Sequence, residues 1–279
     1  MILVTGATGN VGRNIVGQLL DAGEKVRAVT RDPGNSGMAA DVEVLPGDLT
    51  RPESLTDVLR GIDRVFLFPV FGALDGFLDV ARTAGVEHVV LMSSSAVEFP
   101  EPGWIGQAHL DCEASVAKSG IPHTFVRAGL FMRNDLGWAA QIADGGVVRS
   151  AYGTAAAAPV DERDIAAVAT QSLRTARAGS VHTLTGPESL TQIERVRIIA
   201  ETLGRPVRFE ELSREEALKH LVGQMPEEAA SFLLDQLASW QGTTAEVLPT
   251  IEQVTGRPAH TYREWVGHHA ADFEAAASR

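Results

Sequence analysis

The sequence predicts an α/β chain, a doubly wound parallel sheet followed by a small, mostly helical C-terminal lobe. Short apolar runs alternate with helical periodicities through the first half. The runs are nearly continuous rather than alternating, as strands are when helices cover both faces of a sheet. The first run leads straight into glycines at GxxGxxG spacing, Gly6-Ala-Thr-Gly9-Asn-Val-Gly12. Strands joined by helices of this length form βαβ units with right-handed crossovers.

Taken in order, strands are predicted at 2–5, 25–30, 42–46, 64–68, 88–92 and 123–127. Helices are predicted at 10–21, 51–60, 72–83 and 104–118. Gly23, Gly61, Gly85 and Gly120 each follow the last periodic residue, where glycine takes a left-handed cap at least cost. Thr50-Arg-Pro-Glu53 reads as a capping box with proline in the first turn. After Arg127 the pattern loosens. An amphipathic helix is expected at 161–175, strands at 181–185 and 207–210, and helices opening at capping boxes Thr191–Glu194, Ser213–Glu216 and Thr261–Glu264. The alanine run 155–158, set between Gly153 and Pro159, reads as loop. No repeat, low-complexity block or linker interrupts the chain, so the lobe is expected to wall a cleft at the sheet's C-terminal edge, where open α/β sheets bind ligands.

Composition narrows the partners. At 279 residues, with 44% apolar and 22% charged residues, a packed core is expected. A formal charge of −12 argues against nucleic acid or an anionic membrane surface and leaves a small-molecule partner. The single cysteine, Cys112, excludes an internal disulfide and a multi-thiolate metal site, and reads as a buried small hydrophobe. The histidines show no ligand spacing, so no metal is expected. Residues 1–4 are too short for a signal peptide, and no run of about 18 apolar residues exists, so a cytoplasmic location without a membrane span is expected. Monomer and homodimer are both open.

The glycine motif implies a dinucleotide. Gly6 permits a tight strand exit, Gly9 lets the backbone approach a pyrophosphate, and Gly12 lets the helix lie close to the strand. Thr8, Asn10 and Val11 complete the loop, and the pyrophosphate would sit on the helix N-terminus. The end of the second strand reads Thr30-Arg31-Asp32. An arginine there suits a 2′-phosphate, whereas an acid would bind the ribose hydroxyls. NADP(H) is therefore expected ahead of NAD(H), with Arg13 able to help from the helix side. The alternative is a solvated Arg31 with Asp32 on the ribose. Asp48-Leu49 closes the third strand: the carboxylate suits the adenine amino group and Leu49 its ring, or Asp48 merely caps the following turn.

Several segments together, VTGATGNVGRNIV, VRAVTRDP, GDLTRPESL, VVLMSSSAV, FVRAGLFMRNDL, PVDERDIAAVA and LTGPESLTQIERVRIIAETLGRPVRF, resemble the NmrA-like group of atypical short-chain dehydrogenase/reductases. The resemblance runs over nearly the whole chain. It implies an NAD(P)-binding Rossmann domain over 1–150, and a segment 151–279 that returns one helix to that domain and forms a substrate lobe. It implies NADP(H) as cofactor, with Phe68, Pro69, Ser93, Ser94 and Ala128 near it. It does not imply one activity. The group is similar to quinone and azo-dye reductases, isoflavone-reductase-like enzymes, and regulators that bind the dinucleotide without turning it over.

Short-chain dehydrogenases pair a serine after the fifth strand with Tyr-x-x-x-Lys on the next helix. Ser93-Ser-Ser95 is present, with Ser95 the expected substrate-facing hydroxyl. Tyr-x-x-x-Lys is absent, since neither Tyr152 nor Tyr262 has lysine four residues on. The helix offers His109 and Glu113 instead, which share a helix face. The carboxylate would brace a proton-donating imidazole; or Glu113 would hold a cofactor hydroxyl with His109 as a pocket wall; or the two form a plain surface pair. Quinones and other conjugated acceptors need less proton help, and Phe71, Trp104, Phe131, Asn134 and Trp138 are candidates to line their pocket. The expected function is NADPH-dependent reduction of a small conjugated, quinone-like or aromatic compound by Ser95, His109 and Glu113. The alternatives are an NADP(H)-sensing regulator, or an epimerase or cyclase without net redox.

Overall fold

The computed structural model describes residues 1–275. They form two compact units. The first comprises 1–129, 162–184 and 250–257; the second comprises 130–161, 185–249 and the described residues from 258 on.

The first unit is built on a seven-stranded sheet in which every pairing is parallel. Its strands are β1 (Ile2–Val4), β2 (Val26–Thr30), β3 (Glu43–Pro46), β4 (Arg64–Leu67), β5 (His88–Ser94), β6 (His123–Ala128) and a last strand, Ser180–Leu184, beside β6. The order β3-β2-β1-β4-β5-β6 reverses between β1 and β4, a switch point of the doubly wound Rossmann kind. Helices α1 (Asn10–Asp21), α2 (Leu74–Thr83) and α3 (Gly103–Lys118) fill the crossovers. Alternate strand residues share a face. Thus Leu3, Val65, Leu67, Val89 and Leu91 join Phe77 and Leu78 of α2 and Val116 of α3 in one core. On α1, Gln18 donates to the Arg163 carbonyl of helix Glu162–Thr175 at 3.0 Å, fixing the returning helix in this unit.

The predicted helix at 51–60 does not form. Only a short 3₁₀ turn, Pro52–Ser54, is present. The cause is Arg27 on β2, which is buried and turns its guanidinium under this segment. Its Nη1 donates to the Val58 and Arg60 carbonyls at 2.7 and 2.8 Å and more weakly to Asp57, while Nε pairs with Glu43 at 2.9 Å. These carbonyls are satisfied by a side chain from another strand, so Leu55, Val58 and Leu59 reach the core through turns. The Thr50–Glu53 box is likewise not made. Thr50 gives its amide and hydroxyl to Asp48 Oδ1 at 2.9 and 2.8 Å instead.

The second unit is mainly helical, with Gln192–Leu203, Arg214–Val222, Glu227–Ser239 and Tyr262–His268 as its longer helices. The three expected capping boxes, at Thr191, Ser213 and Thr261, all form. Strand Arg208–Glu211 pairs in parallel with Val147–Ser150, a strand that local pattern does not announce. Within the alanine run, Ala156–Ala157 makes a two-residue antiparallel pairing with Leu190–Thr191. Buried Tyr262, Trp265, Val196, Ile199 and Phe273 form the helical core.

Two glycines of α1 make opposite predictions. A Cβ on Gly12 would lie 2.1 Å from the Gly6 carbonyl oxygen, whereas one on Gly17 meets nothing within 4 Å. Gly12→Ala should cost about 2 kcal/mol or more, and Gly17→Ala should gain about 0.5–1 kcal/mol from helix propensity. Urea unfolding of the two variants checks this; equal effects would contradict the close packing.

Candidate active site

The glycine loop is shaped by contact on three sides. Gly6 takes φ +61°, and a Cβ there would press on Phe68 at 3.0 Å. The Gly9 amide donates to the Gly6 carbonyl at 3.0 Å. No side chain caps α1, and its first turn carries no acid, so its amides and dipole face an approaching anion without competition. Thr8 and Asn10 are exposed beside it, while Val11 turns its side chain into the core. Arg13, though exposed, is held by backbone carbonyls. It donates to the Thr8 carbonyl at 3.0 Å, Ser36 at 3.1 Å and Gly37 at 3.4 Å.

At the ends of β2 and β3 lies a pocket of about 820 Å3, lined by Arg31, Arg51, Gly47, Asp48 and Ser54 among others. Arg31 is exposed and makes no hydrogen bond or ion pair to the described residues. Asp32 is engaged by Asn35, whose amide donates to it at 2.6 Å. The Thr50 hydrogen bonds, with Arg31 and Arg51 beside it, hold the Asp48 carboxyl below its ordinary value. Leu49 packs against the main core. Arg51 is a cation that the sequence reading passed over; its signal is its place directly after GDLT.

The ends of β5 and β6 carry the remaining candidates. Ser93 and Arg127 stand opposite each other in the β5–β6 register, and Glu113 of α3 reaches both. Ser93 Oγ donates to Glu113 Oε1 at 2.6 Å. Arg127 grips the same carboxylate through Nε at 2.9 Å and Nη2 at 2.7 Å. The third nitrogen, Nη1, goes to Glu98 at 2.9 Å, and Glu98 also accepts from Thr183 at 2.7 Å. Glu113 is therefore fully engaged, and no hydrogen bond joins it to His109. The brace expected for the imidazole is not built, because the guanidinium offers the carboxylate a bidentate, charged partner. The arginine's signal in the sequence is a charge set among the apolar residues Phe125, Val126 and Ala128 of its strand.

His109 instead meets Phe71 edge-on, ring centres 5.1 Å apart, and its Nδ1 is buried without a partner. Burial lowers its pKa, against an opposing pull from Glu113. The Ser95 hydroxyl makes no hydrogen bond to the described residues, whereas Ser94 Oγ accepts from the Ala96 amide at 3.2 Å. Ala128 is buried and Pro69 half-buried. Phe68, Phe71 and Trp104 are exposed to 45%, 45% and 56%, an unusual display for large apolar rings. Of the other pocket candidates, Asn134 and Trp138 line one cavity in the second unit, and Phe131 bridges to Val160 in the same unit. Cys112 is buried, its thiol pushed up to about 11 by burial first and by neighbouring carboxylates. Among the described residues, no cluster of three or more His, Cys, Asp or Glu is placed to hold a metal ion, and no helix is long and apolar enough to cross a membrane.

The NmrA-like family model matches residues 1–268. The chain belongs to the NmrA-like family. A relative from Streptomyces griseus, (4-alkanoyl-5-oxo-2,5-dihydrofuran-3-yl)methyl phosphate reductase, is 41% identical over 98% of this chain and 99% of its own length. An NAD(P)H azoreductase from Xenophilus azovorans is 34% identical over 99% of this chain and all of its own. Among solved structures, an NADPH-dependent quinone oxidoreductase from Escherichia coli superposes with a TM-score of 0.82, at 26% identity, over 96% of this chain and 99% of its own.

Two measurements test the geometry. Glu113→Gln loosens a buried ion pair and should cost about 3 kcal/mol; a loss below about 1 kcal/mol in urea unfolding would contradict the assigned network. Burial also lowers the pKa of His88, whose Nε2 lies 3.0 Å from Thr124 Oγ1. For both histidines the folded state binds the proton less tightly than the unfolded chain. Their contribution to stability is therefore intact above about pH 6.5 and lost as pH falls below it. Thermal midpoints should decline from pH 7.5 to 5, and His88→Asn should flatten that decline.

Proposed function

We propose that this chain is an NADPH-dependent reductase of small conjugated carbonyl compounds, quinones and unsaturated lactones among them. It is an oxidoreductase of the NmrA-like family. The relatives' names support the acceptor class: a 5-oxo-2,5-dihydrofuran, an azo compound and a quinone are all conjugated.

The residues fit the dinucleotide. Side chains at Gly6 or Gly12 would fill its cradle, and α1 presents an uncapped N-terminus with no acid in the first turn. The first-turn amides would hold the pyrophosphate, and Arg31 with Arg51 would hold the 2′-phosphate. When bound, the reduced nicotinamide supplies a hydride.

The observation that carries the acceptor class is the engagement of Glu113 by Arg127 and Ser93. It leaves His109 without a hydrogen-bonded carboxylate, while burial favours the neutral imidazole over the pull of Glu113, so no strong acid stands by to activate an isolated ketone. A conjugated acceptor spreads the incoming charge over its own π-system and asks chiefly for positioning. In this reading the exposed Phe71 and Trp104 rings receive a flat acceptor, Ser95 donates a hydrogen bond to its oxygen, and His109 walls the ring side. Glu113 acts at one remove, orienting Ser93 and the end of β5.

Two outcomes are expected. Oxidation of NADPH, followed at its near-ultraviolet band with a panel of quinones and butenolides, should proceed steadily, while saturated ketones should be inert. Tight cofactor binding without turnover of any acceptor would instead favour the NADP(H)-sensing regulator. Arg31→Ser should raise KM for NADPH roughly 10- to 100-fold, the worth of a charge-assisted phosphate contact, and leave KM for NADH nearly unchanged. An equal change for both cofactors would remove Arg31 from the phosphate site.

A further inference from the structure

The second unit holds a partly open cavity of about 390 Å3. One wall is apolar, made by Leu212, Leu221, Leu233, Leu237 and Trp240. Those residues come chiefly from helices Arg214–Val222 and Glu227–Ser239, which pack on each other. The lining also holds the buried polar residues Arg195, Asp135 and Gln192.

Arg195 is 3% exposed yet incompletely bonded. Its Nη1 donates to both oxygens of Asp135, at 2.6 and 2.8 Å, and its guanidinium lies 5.1 Å from the centre of the Trp138 ring. Its Nε is buried with no partner, and Nη2 makes no hydrogen bond to the described residues. Buried guanidinium donors are rarely left unmatched, because each costs its desolvation. Asp135 takes Nη1 on both oxygens and the Tyr262 hydroxyl at 2.5 Å, and it makes no hydrogen bond to Nε. Its carboxylate already balances the arginine's charge, so a further acceptor is favoured as a neutral oxygen rather than a second buried anion. Gln192 is held away from the task, its amide nitrogen donating to the Ala151 and Tyr152 carbonyls at 2.9 and 3.0 Å.

We propose that this cavity binds the alkyl chain of a neutral, carbonyl-bearing small molecule, with the carbonyl oxygen on Arg195 and the chain along the leucine wall. The site stands on this cavity alone and is separate from the acceptor position given under Proposed function.

The test is a titration of the whole protein, without cofactor, with γ-lactones bearing tails of increasing length, read by the emission of Trp138 and Trp240. Affinity should rise about fourfold per added methylene until the cavity is full. Leu237→Trp, which fills the wall without disturbing Arg195, should weaken the long-tailed lactones at least tenfold and the short ones little. An affinity independent of tail length in the unaltered protein overturns the proposal, whether or not the variant folds. So does a folded Leu237→Trp protein that binds long tails undiminished. Quinone turnover is scored separately on the same preparation: its absence would sink the reductase reading and leave the cavity result standing.

Discussion

A helix and a carbonyl oxygen with no room for a methyl group between them set the geometry of the first unit. Gly12 lies against the Gly6 carbonyl, and Gly6 in turn has Phe68 at its back. The Phe68 amide donates to Thr5 Oγ1 at 2.7 Å, so the exits of β1 and β4 are tied together as well. With those contacts fixed, the start of α1 is held at the point where strand order reverses, and its unpaired amides have one direction to face. The pocket at β2 and β3 and the serine run after β5 open from the same sheet edge.

Local pattern carried the reading a long way. Apolar runs placed the six strands β1 to β6 within a residue or two, and three capping boxes stood where Ser or Thr preceded Glu by three. What the pattern missed was non-local. The stretch at 51–60 has the periodicity of a helix, but its carbonyls find Arg27 on a neighbouring strand. The strand Val147–Ser150 depends on a partner some sixty positions away, Arg208–Glu211. At the site, His109 and Glu113 have the spacing of a pair, yet the carboxylate turns to Arg127. In each case a charged group or an edge found a better partner than its sequence neighbour. The visible trace was the same in the two arginines, a cation within a run of strand residues.

The arginine-centred network changes the sense of the missing tyrosine and lysine. Arg127 spans Glu98 and Glu113, and through them Thr183 and Ser93, joining β5, β6, α3 and the last strand of the sheet. The charge of Arg127 is consumed in tying strand ends together. Beside it the rings of Phe71 and Trp104 stay exposed and the Ser95 hydroxyl makes no hydrogen bond to the described residues, groups that can orient a neighbour more readily than they ionise.

Arg13 shows what such engagement does for a ligand. Three backbone carbonyls hold its guanidinium, one from the glycine loop and two from the segment after β2. A free arginine would surrender rotamer freedom on capturing a phosphate; this one has surrendered it during folding. Its positive field is stationary near the start of α1, so an anion arriving there would gain attraction without a matching loss of side-chain disorder.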